Sequence, residues 1–148
     1  MQARAQPIGH LAGSRSAKIL CVDPKVAPQL WRHVEPLLAP AFDHASDATI
    51  EVIEADLASG MQLLWVAWDG ARIVAAATTA LNQTPRHKLC IVTAAGGVHL
   101  KLWDQFMPMV EAYAKAEGCA RVRVMGRKGW AGVLRGYSQP WVVLDKVI

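Results

Sequence analysis

Cysteine, tyrosine and phenylalanine are scarce in this chain, and long apolar runs are missing. The three cysteines, Cys21, Cys90 and Cys119, are odd in number and far apart. That excludes a disulfide framework and a CxxC zinc spacing, and it fits buried thiols in a reducing cytoplasm. Although 53% of the residues are hydrophobic, no run approaches the roughly 18 uncharged apolar residues of a membrane-spanning helix. The richest run, MQLLWVAW, is strand-sized, so no membrane partner is expected. The opening residues, MQARAQPIGHLAGSRSAK, carry basic groups but no apolar signal core, which argues against export. GxxxxGK[ST], HExxH and GxSxG are also missing, and no carboxylate pair has a spacing that argues for glycoside chemistry. His10, His33 and His44 show no metal-ligand spacing, so no metal is expected.

A chain of 148 residues is of ordinary single-domain size and can bury roughly 70% of its unfolded surface, so it needs no covalent staples. The net charge of +4 is unevenly placed. Residues 1–74 hold six Lys/Arg against eight Asp/Glu, net −2, whereas residues 75–148 hold ten against four, net +6. The acidic part gathers in Asp43, Asp47, Glu51, Glu54 and Asp56, the basic part in Arg121, Arg123, Arg127, Lys128 and Arg135. A polyanionic partner for the second half is one reading of this asymmetry; a solvated basic face is the plainer one.

Residues 1–17 lack periodicity and read as a tail, leaving 18–148 as one domain. Ala17 to Asp23 reads as a strand. Leu30, Val34, Leu37 and Leu38 form an apolar helical face after Pro28, with Pro36 as an interruption. Thr49 stands as N-cap of a second helix that Gly60 stops. Asp69-Gly70 between two apolar runs predicts a hairpin with a two-residue turn inside a covered sheet. Asn82 to Arg86 is a turn, and His87 to Ala95 a further strand. Leu100, Trp103, Phe106, Met107, Val110 and Tyr113 recur at three and four and predict an amphipathic helix ending at Gly118, with Pro108 bending it. Arg121 to Met125 alternates as a strand. Trp130 to Tyr137 is a short helix at best, and Trp141 to Val147 a last strand. Trp31, Trp65 and Trp103 fall on apolar faces as core. Trp130, at a loop edge, is either packing or a stacking surface for a base.

Between Cys90 and Trp103, CIVTAAGGVHLKLW, an apolar strand meets two glycines and then a helix. A helix N-terminus offers unpaired N–H groups and a partial positive charge, and small residues let a backbone approach an anion. Ala94, Ala95, Gly96 and Gly97 are all small. The alternative is a tight corner in which glycine supplies a positive φ.

That unit, the GCARVRVMGRKGW segment after it, and the order of elements over roughly residues 18–148 resemble the GNAT superfamily of N-acetyltransferases. The resemblance implies an α/β (α+β) fold: a mixed sheet whose antiparallel meander runs into a parallel strand-helix-strand crossover, with helices on both faces. It implies acetyl-CoA as co-substrate, lying between a splayed fourth and fifth strand and pairing with the fourth. Its site residues would be Val92, Thr93, Ala94, Gly96, Gly97 and Val98, with Arg127 and Lys128 reaching toward phosphate. An N–H around Val92 to Ala94 would meet the thioester oxygen. The family's phosphate loop places Arg or Gln where Thr93 stands, and Gly or Ala where Val98 stands, so the loop is degenerate. The family's tyrosine acid would fall near Leu134 or Arg135; Tyr137 is the available candidate, as displaced acid or as core. His87 and His99 flank the site. The first two helices border the acceptor site in the family, so the acidic second helix fits a cationic amine, either a small molecule or a peptide. A homodimer is compatible with the family, and the chain's small, degenerate character fits a bacterial or phage source. Two further functions are carried alongside: a non-catalytic binding or assembly module of the same fold, and a basic nucleic-acid binder using RVRVMGRKGW.

Overall fold

The computed structural model describes residues 17–43, 47–97 and 100–148. The expected tail (apart from Ala17), His10, His44, Val98 and His99 lie outside the described residues. The elements follow in the order β1 (Lys18–Val22), α1 (Ala27–Leu38), β2 and β3 after a second helix, and then a crossover. A short 3-10 segment, Ala39–Phe42, extends α1, and α2 spans Ile50–Ser59. Strands β2 (Leu63–Trp68), β3 (Ile73–Gln83) and β4 (Lys88–Gly97) form the meander. Helix α3 (Trp103–Ala116) crosses over to β5 (Arg121–Val124), and α4 (Trp130–Val133) is one turn.

The sheet has five strands in the order β1-β2-β3-β4-β5. All neighbours are antiparallel except β4 and β5, which are parallel. A parallel pair needs a long connection, and α3 supplies it. Helices cover both faces, so β2 and β3 are buried on both sides and read as continuous apolar runs. One core packs Val34, Leu38, Ile53 and Leu57 of α1 and α2 against Leu64, Val66 and Ala76. The other packs Trp103, Phe106 and Val110 of α3 against Trp65, Ala75 and Cys90. Trp65 is buried whole because its Nε1–H donates to Thr79 Oγ1 at 2.9 Å, and Tyr113 meets its ring edge-on at a centroid distance of 5.4 Å. Trp31 is half-buried. Helix α3 runs on through Pro108.

Four expectations need correction. The hairpin turn is centred on Gly70-Ala71 rather than Asp69-Gly70: Asp69 N–H donates to the Arg72 carbonyl at 3.2 Å, and the Asp69 carboxylate accepts from the N–H groups of Ala71 and Arg72. Thr49 takes the N-cap position of α2 but its side chain makes no capping bond. Cys21 is exposed, whereas Cys90 is buried and Cys119 half-buried. Residues 141–147 form no strand; among the described residues no backbone hydrogen bond pairs them, and they stay exposed.

Candidate functional site

The site is built on β4, which changes character at Thr93. From Leu89 to Val92 it is paired on both sides, with β3 and with β5. From Ala94 to Gly97 its sheet partner is β3 alone. At the change, Val92 faces Thr79 and Ala94 faces Thr78, so Thr93 is an extra residue with no opposite number. One added residue bends a strand and increases its twist. The side chains record it: Cys90, Val92 and Ala95 pack in the α3 core, and Ala94 in the α1/α2 core. The last rung between β4 and β5, Val92 to Val124, is also the last residue before the bulge; β5 ends there and β4 runs on past it.

A buried polar chain holds the bulge. Thr93 Oγ1 donates to Gln62 Oε1 at 2.5 Å and, with its proton so used, accepts from Thr78 Oγ1 at 2.7 Å. Gln62 Nε2 in turn donates to Asp56 Oδ2 at 2.9 Å. Thr78 and Gln62 are buried. Every donor in the series points toward the Asp56 carboxylate, so each bond polarises the next. Sequence reasoning placed Thr93 but missed Gln62, Thr78 and Asp56 as its partners. The available signal was the pair Thr78-Thr79 inside AAATTAL, since hydroxyls buried in an apolar strand need partners.

The two glycines have another job than either expected one. Both belong to β4 rather than to a corner, and neither has a positive φ. A Cβ on Gly96 would stand 1.8 Å from the Leu37 carbonyl oxygen, and one on Gly97 would stand 2.5 Å from the Ala75 Cβ. Glycine is needed there so that the end of α1 and strand β3 can close on the strand. Packing alone therefore accounts for the missing side chains of Gly96 and Gly97. Val98, where the crossover helix would begin to offer its amides, lies outside the described residues.

Arg127 and Lys128 follow β5, and both are exposed. Arg127 Nη2 donates to the Pro40 carbonyl at 2.7 Å, linking the loop after β5 to the 3-10 segment that continues α1. That segment also packs on β4. Arg127 thus spans from the free arm of the strand fork to the layer above the other arm.

Tyr137 packs against the α3 core. Its hydroxyl donates to Glu111 Oε1 at 2.9 Å, on the third turn of α3. It lines a cleft of about 360 Å³ with Trp103, Met107, Pro108 and Leu134. Burial, and then the bond to Glu111, raise its pKa well above the usual tyrosine value, so it holds its proton more tightly. Packed on the α3 core and bonded to the crossover helix, Tyr137 is placed as the core alternative expects. Trp130 is also packing: it meets Trp103 edge-on at 5.1 Å, and a Cβ on Gly126 would stand 2.7 Å from its ring. Burial, with Cys119 nearby, pushes the Cys90 thiol up to about 11, too high for a nucleophile. The backbone of His87 is tied to Thr84 in the turn before β4. Among the described residues no group of His, Cys, Asp or Glu could hold a metal ion.

A meander that runs into a right-sized parallel crossover, with the fourth strand outrunning the fifth, is the acyltransferase fold of the GNAT superfamily, and this chain has that fold. Three solved structures illustrate the likeness. An aminoglycoside acetyltransferase from an uncultured soil metagenomic sample, in complex with sisomicin, is 15% identical with a TM-score of 0.66, covering 90% of this chain and 97% of its own. A predicted acetyltransferase with acetyl-CoA from Clostridium acetobutylicum is 15% identical with a TM-score of 0.63, covering 87% and 96%. Glucosamine-6-phosphate N-acetyltransferase from Arabidopsis thaliana is 13% identical with a TM-score of 0.61, covering 89% and 98%. No protein-family model and no curated protein matches the sequence.

Proposed function

We propose that the protein is an acyl-CoA-dependent N-acyltransferase that moves an acetyl group to a primary amine. The observation that carries this reading is the fork: past Thr93, β4 has a strand on one side only, and its residues there are Ala94, Ala95, Gly96 and Gly97. A one-sided strand edge fits the amide groups of a pantetheine arm, which bind as a strand would. Small side chains leave that edge unobstructed. Arg127 and Lys128, exposed after β5, supply positive charge for the CoA phosphates. The neighbours of the same fold include one with acetyl-CoA and one with an aminoglycoside, which supports acetyl-CoA as co-substrate and an amine as acceptor.

The reaction asks little of side chains. The amine nitrogen forms a bond to the thioester carbon, the carbon–sulfur bond breaks, the amine gives up a proton to water, and the thiolate takes one. Holding both reactants together supplies on the order of 7–11 kcal/mol. A backbone N–H near the bulge, from Val92 to Ala94, would meet the thioester oxygen as it gains charge. Glu51 and Glu54 are exposed on α2 and favour a cationic acceptor; Asp56 is already engaged by Gln62.

The second reading, a non-catalytic module of the same fold, is favoured by one observation: Tyr137, the candidate acid, spends its proton on a hydrogen bond to Glu111. The nucleic-acid reading loses its aromatic, because Trp130 packs on Trp103. Calorimetric titration with acetyl-CoA, followed by a thiol-release assay with polyamines and aminoglycosides, separates the readings. Binding with release of free thiol is expected. Binding without release under every amine, or no binding, would remove the enzyme and leave the module. Replacing Arg127 and Lys128 together with Ala should weaken acetyl-CoA binding about tenfold or more, since each charge-assisted contact contributes roughly 1.5–3 kcal/mol; unchanged affinity would take both out of the site.

A further inference from the structure

The register of β4 past Val92 is not secured by its own side chains. Ala94, Ala95, Gly96 and Gly97 are too small to select a face, and strands of such residues are prone to slip. Something else decides that Thr93, and not Ala94, is the extra residue. Thr78 does not decide it. Its ladder partner is Ala94, yet its hydroxyl lies 2.7 Å from that of Thr93. Were Thr93 its ladder partner instead, the two hydroxyls would stand directly opposite each other and bond as well.

Gln62 can decide it, because it belongs to neither β3 nor β4. It stands between α2 and β2, buried, and is tied to Asp56 twice. Its backbone N–H donates to the Asp56 carbonyl at 3.3 Å, and its Nε2 donates to the carboxylate at 2.9 Å. A carboxylate has acceptors only, so the Gln62 amide turns its N–H groups to Asp56 and its oxygen to Thr93. That oxygen needs a donor, and the Thr93 hydroxyl supplies it. The competing acceptor for the same proton, the Thr78 carbonyl, is farther away at 3.2 Å. The pull on Thr93 therefore comes from outside the ladder between β3 and β4.

We propose that Gln62, oriented by Asp56, is a positioning residue. It holds Thr93 out of the ladder and so fixes which backbone N–H between Val92 and Ala94 is left for the thioester oxygen. Without it, Thr93 steps back opposite Thr78 and Ala94 becomes the extra residue. Ala95, Gly96 and Gly97 keep their partners Ala77, Ala76 and Ala75. The one-sided strand edge survives, while the N–H groups at the bulge are dealt out anew. The register role stands on the hydrogen bonds; its effect on turnover rests on the acyl-transfer reading.

Backbone amide spectra of the full chain test the register, and acetyl-CoA-dependent thiol release with the amine that best serves the parent tests turnover. In Gln62→Met the signals of residues 92–95 should double or shift, while those of Gly96, Gly97 and Trp65 stay in place. Thiol release at saturating acetyl-CoA should fall about tenfold or more, as for one lost hydrogen bond to a developing charge. Asp56→Asn is the milder variant, should the first fail to fold. Its amide lets the Gln62 amide turn over, so a minor second set of signals is expected. Thr79→Val strands the Trp65 N–H instead. It should keep one set of signals and parental turnover, which separates register from mere loss of stability. One unshifted set in both Gln62→Met and Asp56→Asn would overturn the proposal. A doubled set with turnover unchanged would overturn the role in the reaction. If the parent itself releases no thiol, the acyl-transfer reading fails, and the spectra alone still decide the register.

Discussion

Residues 88–92 and 93–97 are consecutive halves of one strand, and they live under different rules. In the first half the backbone is committed on both sides, and Leu89, Cys90 and Val92 fill the core. In the second half, from Ala94 on, one side is committed, and the side chains shrink to methyls and hydrogens. The first half is stabilised by what its side chains bury. The second is stabilised by what its lack of side chains lets others do: the end of α1 and strand β3 come into contact with the backbone itself. A binding edge in a β-sheet thus arises by withholding a neighbour on one side while crowding the others.

The comparison can be broken most forcefully at Gly96. Gly96→Ala sets a methyl against the Leu37 carbonyl, which belongs to backbone and cannot swing aside, so a loss of about 3 kcal/mol in urea unfolding is expected. Gly129→Ala is the control. Nothing lies within 4 Å of its Cβ position, and its change should stay below about 1 kcal/mol. A smaller effect than this at Gly96 would mean that α1 is not seated on the strand.

Thr93→Val sharpens the contrast at the join. It leaves Gln62 Oε1 without its donor, which costs about 2 kcal/mol. Thr79→Val, on the doubly paired half, strands the Trp65 N–H and should cost a similar amount. The pair differ in a second readout: Thr93→Val should also weaken acetyl-CoA binding, and Thr79→Val should not. Equal effects on the ligand would dissolve the distinction between the halves.

The smallest effect belongs to the turn at the open end of the sheet. Hydrogen bonds from the N–H groups of Arg72, first, and Ala71 hold the Asp69 carboxyl below its ordinary pKa. A lowered folded-state pKa stabilises the fold above the unfolded value of about 3.9 and loses that contribution as pH falls through the folded value. Asp69→Asn should therefore lower Tm slightly at neutral pH, with the difference shrinking below about pH 4. A difference independent of pH would assign the effect to turn shape rather than charge.

Element order, the crossover and the two covered faces were legible because periodicity reports which face is buried. Leu100, Trp103, Phe106 and Val110 could only be one side of a helix. The fork was legible only through resemblance, since a bulge of one residue leaves no periodic trace in so short a strand. The glycines misled for a physical reason. Sequence shows that a Cβ is absent and not which atom occupies its place; Leu37, far back in the chain, fills it. Tyr137 was readable as core, but its partner Glu111 was not, because that pairing is set by how the chain folds back on α3. The stretch 141–147 had the composition of a strand, but a strand needs a partner, and composition does not show that no neighbour pairs with it among the described residues.

Thr93 is surplus to an otherwise regular ladder. Remove it on paper, and Val92 and Ala94 become neighbours that still face Thr79 and Thr78 and still point to their own layers. A single codon could therefore open or shut the gap between the fourth and fifth strands without asking either hydrophobic layer to repack. Indels are usually ruinous inside a sheet; at this position both layers would keep their facing, and the cost would fall on the polar chain, where Gln62 Oε1 would lose its donor.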